Sequence, residues 1–166
     1  MLTAESSRTL SHLFAELVDG VTSKRGGFML NTGDAGMLAS LDKLSAEDAS
    51  HSTNGGATIA AHTQHVRFGL SLMNQWAAEG GNPFANAKWD EAWKIARVDA
   101  NQWNDIRDGL RLESQRWLQV LKTPREVAGI EFTGLVSSIA HLAYHLGAIR
   151  QIDKNARGPK EGTLPA

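Results

Sequence analysis

Cysteine is absent from the 166-residue chain. That excludes disulfides, thiolate metal ligands and a cysteine nucleophile, and it fits a reducing compartment such as the cytoplasm. Runs of lysine and arginine are missing too, and the formal net charge is only -1 with a pI near 6.6. A protein that binds nucleic acid as its main task carries a basic patch or an aromatic–basic stripe, and neither is present, so no nucleic-acid partner is expected. The N-terminal residues Met1 to Arg8 lack a basic segment followed by an apolar run, so no signal peptide is expected. No stretch of useful length alternates with the period of a strand.

Charge is missing from residues 132–149, a length that raises the question of a membrane span. Thr133, Ser137, Ser138, His141, Tyr144 and His145 make the stretch too polar for that, and a buried helix of a soluble bundle with no membrane partner is the better reading.

The apolar residues that remain recur at the helical period. Leu10, Leu13, Phe14, Leu17 and Val21 predict a first helix over about 4–23, ended by Gly26 and Gly27. A shorter amphipathic piece is expected over 35–44, and Ser45 to Asp48 reads as a helix start soon broken by the polar run 51–56. A second long helix starts near Thr58, a good N-cap, with Ile59, His62, Val66, Leu70 and Met73 facing inward, and stops at Gly80-Gly81. Residues 82–98 form a long connection that carries Trp89 and Trp93, and a short helix near 89–96 is expected in it. A third long helix runs over 99–122, with Asp99 and Gln102 spaced as a capping box. A fourth covers 131–152, and residues 153–166 read as a flexible tail. The expected fold is a single all-α domain over 1–152, a four-helix bundle whose long connections permit crossovers.

His141 and His145 stand four residues apart on the fourth helix. Residues at that spacing lie one above the other, about 40° apart on a helical wheel, so their imidazoles can share one cation. Gly134, Ser138 and Ala148 fall on the same narrow face and leave room for a metal and a small ligand. On the second helix, His62 fills the inward slot between Ile59 and Val66, and His65 lies about 60° round from it. The wheel therefore favours His62 as the third ligand, with His65 as a substitute ligand or a group behind the ligands. Three neutral imidazoles with an open fourth position suit zinc, and imidazole also suits nickel, iron and manganese. Such a cation lowers the pKa of a bound water or thiol, or polarises a carbonyl. The competing structural reading is a buried, hydrogen-bonded histidine pair. Glu113 falls in the stripe of the third helix and is a candidate general base, against the plainer role of pairing with an arginine. Tyr144 points about 100° away from His145 and suits helix packing or a subunit contact.

The segment Ile139 to Ile152, with His141 and His145, resembles the last-helix motif of the DinB-like, or YfiT-like, superfamily. Residues 57–70, with His62, resemble the matching second-helix motif. The similarity spans roughly residues 5–152. It implies a four-helix bundle, often a homodimer, holding a divalent ion (zinc or nickel) on His62, His141 and His145; His65 does not match the family's ligand position. Characterised members include transferases and isomerases that use a low-molecular-weight thiol cosubstrate, and others described as metal-dependent hydrolases. The resemblance thus implies an enzyme acting on a small-molecule substrate. The leading expectation is an S-transferase that joins a thiol to an electrophile in detoxification or stress. The alternatives are a hydrolase using metal-bound water and a non-catalytic metal-binding stress protein.

Overall fold

The computed structural model describes residues 2–160. Its helices are α1 (Ala4–Asp19), α2 (Gly36–Asp42), α3 (Ala46–Ala49), α4 (Ile59–Glu79), α5 (Asp90–Trp93), α6 (Ala100–Lys122) and α7 (Gly129–Ile152), followed by a 3₁₀ turn at Lys154–Ala156. Among the described residues there is no strand; one isolated antiparallel bridge joins Leu2 to Arg125.

The helix starts follow from local chemistry. The Thr58 side chain accepts from the Ala61 N–H and opens α4, and Asp99 and Gln102 form a reciprocal capping box at α6. Ser45 and Asp48 do the same at the four-residue α3. Gly80, at φ +70°, ends α4 as expected.

The first helix is shorter than its apolar spacing predicts. It stops at Asp19 because Gly20 turns to φ +91° and brings the chain against Asp34, where a Cβ would run into the Asp34 carbonyl. Val21 then donates to that carbonyl at 2.8 Å rather than extending the helix. The buried Glu16 carboxylate organises the following loop, accepting the N–H groups of Phe28, Met29 and Leu30.

α4 packs against α6 and α7, and α1 packs against the same two helices. The long connections carry α2, α3 and α5 round the outside, and α2 lies on α1 while α5 lies on α4. The core is a continuous cluster built from Phe14, Leu17, Ile59, Trp103, Trp117 and Leu142 with their aliphatic neighbours. The chain does not leave the core at residue 152, since Asp153 is buried and Ala156 is wholly enclosed. Arg150 ties this end down through a bidentate pair with the buried Asp34, at 2.7 and 2.8 Å. Of the expected tail, residues 161–166 lie outside the described residues.

α7 is long and apolar enough to cross a membrane by length and composition. Its inner face nevertheless packs on α1 and α4 and buries Leu135, Ser138, Leu142, His145 and Ile149. Ile130, Phe132, Val136 and Tyr144 remain exposed.

Candidate metal centre

Four histidines meet on the seam between α4 and α7. His141 and His145 come from successive turns of α7, His62 and His65 from successive turns of α4. The Nε2 atoms of His141 and His145 stand 3.0 Å apart, and those of His141 and His65 stand 3.1 Å apart. One nitrogen of each of these three rings lies within 4.8 Å of the others. His62 meets the group elsewhere: its Nδ1 faces Nδ1 of His145 at 2.9 Å. The residue favoured from the wheel as third ligand therefore sits behind His145, and the substitute, His65, sits with the pair.

The reason lies in how α4 is buried. The spacing of apolar residues predicts a single inward stripe, but α4 touches α6, α7 and α5 and so has a wide inner face. Ile59, Val66 and Leu70 fill the core, whereas His65 and Gly69 turn toward α7. A signal for this was available: Gly69 lies one turn beyond His65, just as small residues flank the α7 pair.

Burial keeps these rings neutral. His145 is 2% exposed; burial, and then the neighbouring histidines, push it down to about 3. Burial and the charges that His141 and His62 would carry push His65 down to about 4. Desolvation also lowers His62 and His141. Neutral imidazoles have a free lone pair on one nitrogen, as metal coordination requires.

The donor set fits a divalent ion. Tetrahedral zinc with Zn–N bonds of about 2.0–2.1 Å needs ligand nitrogens roughly 3.3 Å apart, close to the 3.0 and 3.1 Å that separate His141 from His145 and His65. Without a cation, the His141 Nε2 faces two other Nε2 atoms and carries at most one proton to share between them. With all three Nε2 lone pairs turned to one ion, His145 must carry its proton on Nδ1, where it donates to Nδ1 of His62. That is the arrangement by which a group behind a ligand fixes its tautomer and orientation. Nδ1 of His65 is buried without a hydrogen-bond partner.

Tryptophans cover the cluster. Trp93, from α5, stacks on His65 with ring centroids 4.4 Å apart and meets His62 edge-on at 5.4 Å. Trp89 lies 5.5 Å from His65. The expected short helix in the long connection thus forms, and it acts as a roof that the sequence did not reveal.

Below this roof a cavity of about 810 Å³ runs along the α4–α7 seam, with His65 and His141 in its wall. Gly69, Met73 and Trp76 line it from α4, Gly134 and Ser137 from α7, and Phe84 and Trp89 from the connection. Gly69 keeps the space beside the histidines open, since a Cβ there would lie 3.6 Å from the His141 ring and 3.8 Å from Trp89.

Glu113 is not part of this centre. Its carboxylate accepts from Asn74 at 2.7 Å and pairs with Arg116 at 3.3 Å, and it does not line the cavity. Tyr144 is exposed, with its ring 5.0 Å from His145. A second group with ligand-like spacing, Asp48, His51 and Asp153, is occupied with structure: Asp48 caps α3 and Asp153 caps the 3₁₀ turn. No family model, curated protein or solved structure matches the chain.

Proposed function

We propose that the chain is a divalent-metal-dependent enzyme of the four-helix, DinB-like kind, with His65, His141 and His145 as ligands and His62 behind His145. The observation that carries this reading is the convergence of three Nε2 atoms, 3.0 and 3.1 Å apart, at the head of a ligand-sized cavity. Zinc and nickel are among the ions that suit imidazole nitrogens.

The reaction class we assign is transfer of a low-molecular-weight thiol to an electrophile. The bound ion supplies Lewis acidity, which favours the thiolate near neutral pH. The chain's own residues hold the reactants: the α4–α7 seam positions the electrophile, Trp93 shields the histidines from solvent, and His62 orients His145. A carbon–sulfur bond forms, the bond to the leaving group breaks with its electron pair, and the thiol proton passes to solvent. Hydrolysis with Glu113 as base has less support, because that carboxylate is engaged with Asn74 and Arg116. Thiols of this kind stay reduced in the cytoplasm, the location this reading assigns to the chain. The reading also makes it a homodimer, for which the exposed Phe132 and Val136, one turn apart on α7, offer apolar contacts.

The test is turnover of the zinc- or nickel-loaded protein. Glutathione and 1-chloro-2,4-dinitrobenzene report transfer, and p-nitrophenyl esters without thiol report hydrolysis. Metal-dependent chloride release only with thiol supports the transferase. Ester cleavage alone makes it a hydrolase, and tight metal binding with neither activity makes it a metal-binding protein without catalysis.

A further inference from the structure

The chemistry of the cavity wall narrows the substrate. Among the described residues no Asp, Glu, Lys or Arg lines it, and His65 and His141 are the only ionisable groups that do. Most of its polar side chains are engaged within the protein. Asn82 accepts the Phe84 N–H, and the Thr133 hydroxyl donates to the Gly129 carbonyl. The Ser138 hydroxyl donates to the Leu135 carbonyl and accepts from Trp117 Nε1. A charged ligand group would therefore lose its hydration here for few polar contacts and no oppositely charged side chain.

The rest of the wall is flat and aromatic. Trp76 and Phe84 meet edge-on at 5.5 Å, and the Phe84 and Trp89 rings are parallel within 2° with centroids 6.4 Å apart. Gly134 allows this, because a Cβ there would stand 2.8 Å from the Trp76 ring. Planar rings pack on such surfaces by offset stacking and edge contacts. The volume, about 810 Å³, accommodates a molecule of drug size.

We propose that this cavity binds a neutral, apolar, ring-bearing molecule whose reactive end lies against His65 and His141. It is the electrophile's site in the transferase reading, on which its catalytic meaning rests. A thiol cosubstrate with charged groups is excluded from the cavity and reaches the histidines from outside it.

Binding can be measured apart from turnover. The probe is neutral N-phenyl-1-naphthylamine, compared with the anionic 1-anilinonaphthalene-8-sulfonate, on the full zinc-loaded chain. The neutral probe should bind one to one, quench tryptophan emission and bind at least tenfold more tightly than the sulfonate. Ser137→Phe, placed at the exposed rim, should weaken it at least tenfold, and Gly69→Ala, beside His141, about threefold. Helix content by circular dichroism and zinc stoichiometry should not change in either variant. No saturable binding of the neutral probe, equal affinity for both probes, or unchanged affinity in both folded variants overturns the proposal. Saturable neutral-probe binding by a chain that takes up no zinc upholds the ligand class and overturns the metal-enzyme reading, so the two fail separately.

Discussion

Nδ1 of His62 and Nδ1 of His145 face each other at 2.9 Å, on the side of the His145 ring away from His141. One ring thus uses both nitrogens, one toward the candidate ion and one toward a partner on the neighbouring helix. This division assigns different costs to the two α4 histidines. His65→Ala removes a ligand and should abolish tight zinc binding. His62→Ala removes only the acceptor behind His145 and should weaken binding about 10–100-fold while keeping one zinc per chain. Isothermal titration of both variants with zinc decides between them. Tight binding retained in His65→Ala and lost in His62→Ala would return His62 to the ligand set.

The helical class, the caps at Thr58 and Asp99, and the i, i+4 pair on α7 could all be read from sequence, because each depends on contacts within a few residues. The choice between His62 and His65 could not. They lie on the same helix, and only the position of α7 determines which ring reaches His141. The end of α1 was likewise hidden, since Gly20 stops the helix through its approach to Asp34, fourteen positions further along. Trp93 becomes a roof over His65 only because the long connection folds back on α4.

Gly69 and Gly134 face each other's helices across the seam but should respond in opposite ways to alanine. A methyl at Gly69 makes ordinary contacts of 3.6–3.8 Å, so Gly69→Ala should gain the usual helix benefit of about 0.5–1 kcal/mol. A methyl at Gly134 meets Trp76 at 2.8 Å and Met73 at 3.3 Å, so Gly134→Ala must displace the indole and should lose that benefit or reverse it. Urea denaturation of the metal-free protein measures both. An equal gain in the two variants would mean that Trp76 does not pack on the α7 backbone.

Arg150 closes the fold at the far end of α7. Its guanidinium makes a bidentate pair with Asp34, whose carboxylate also accepts the Gly36 N–H at 2.9 Å. The Asp34 side chain is 3% exposed, so Arg150→Ala would leave a buried carboxylate without its counter-charge. The expected loss is about 3–5 kcal/mol. Asp34→Asn in the same background should recover part of it by removing the charge. A loss below about 1 kcal/mol in Arg150→Ala would show that water reaches Asp34 and solvates it.

The neutral histidines make stability depend on pH in a definite direction. In the folded chain His65 and His145 are held down to about 4 and about 3, chiefly by burial, whereas in the unfolded chain each takes up a proton near 6.5. Above about pH 6.5 neither state binds these protons and stability is unaffected by them. Between about 6.5 and 4 the unfolded state alone binds them, so stability falls as the pH falls, and the loss levels off only once the folded pKa values are passed. Metal-free protein should therefore show a urea midpoint that declines from pH 7 to pH 4.5, with a shallower decline in His145→Gln. Zinc adds stability through binding to the folded state, whose His65 and His145 nitrogens stay unprotonated until the pH approaches about 4, so saturating zinc should raise the midpoint by a similar amount from pH 7 down to about pH 5.5 and by less only as the pH nears the folded values. A zinc-induced rise that already fades between pH 7 and about pH 5.5 would mean that the ion is held by groups that titrate as ordinary imidazoles and not by this buried cluster.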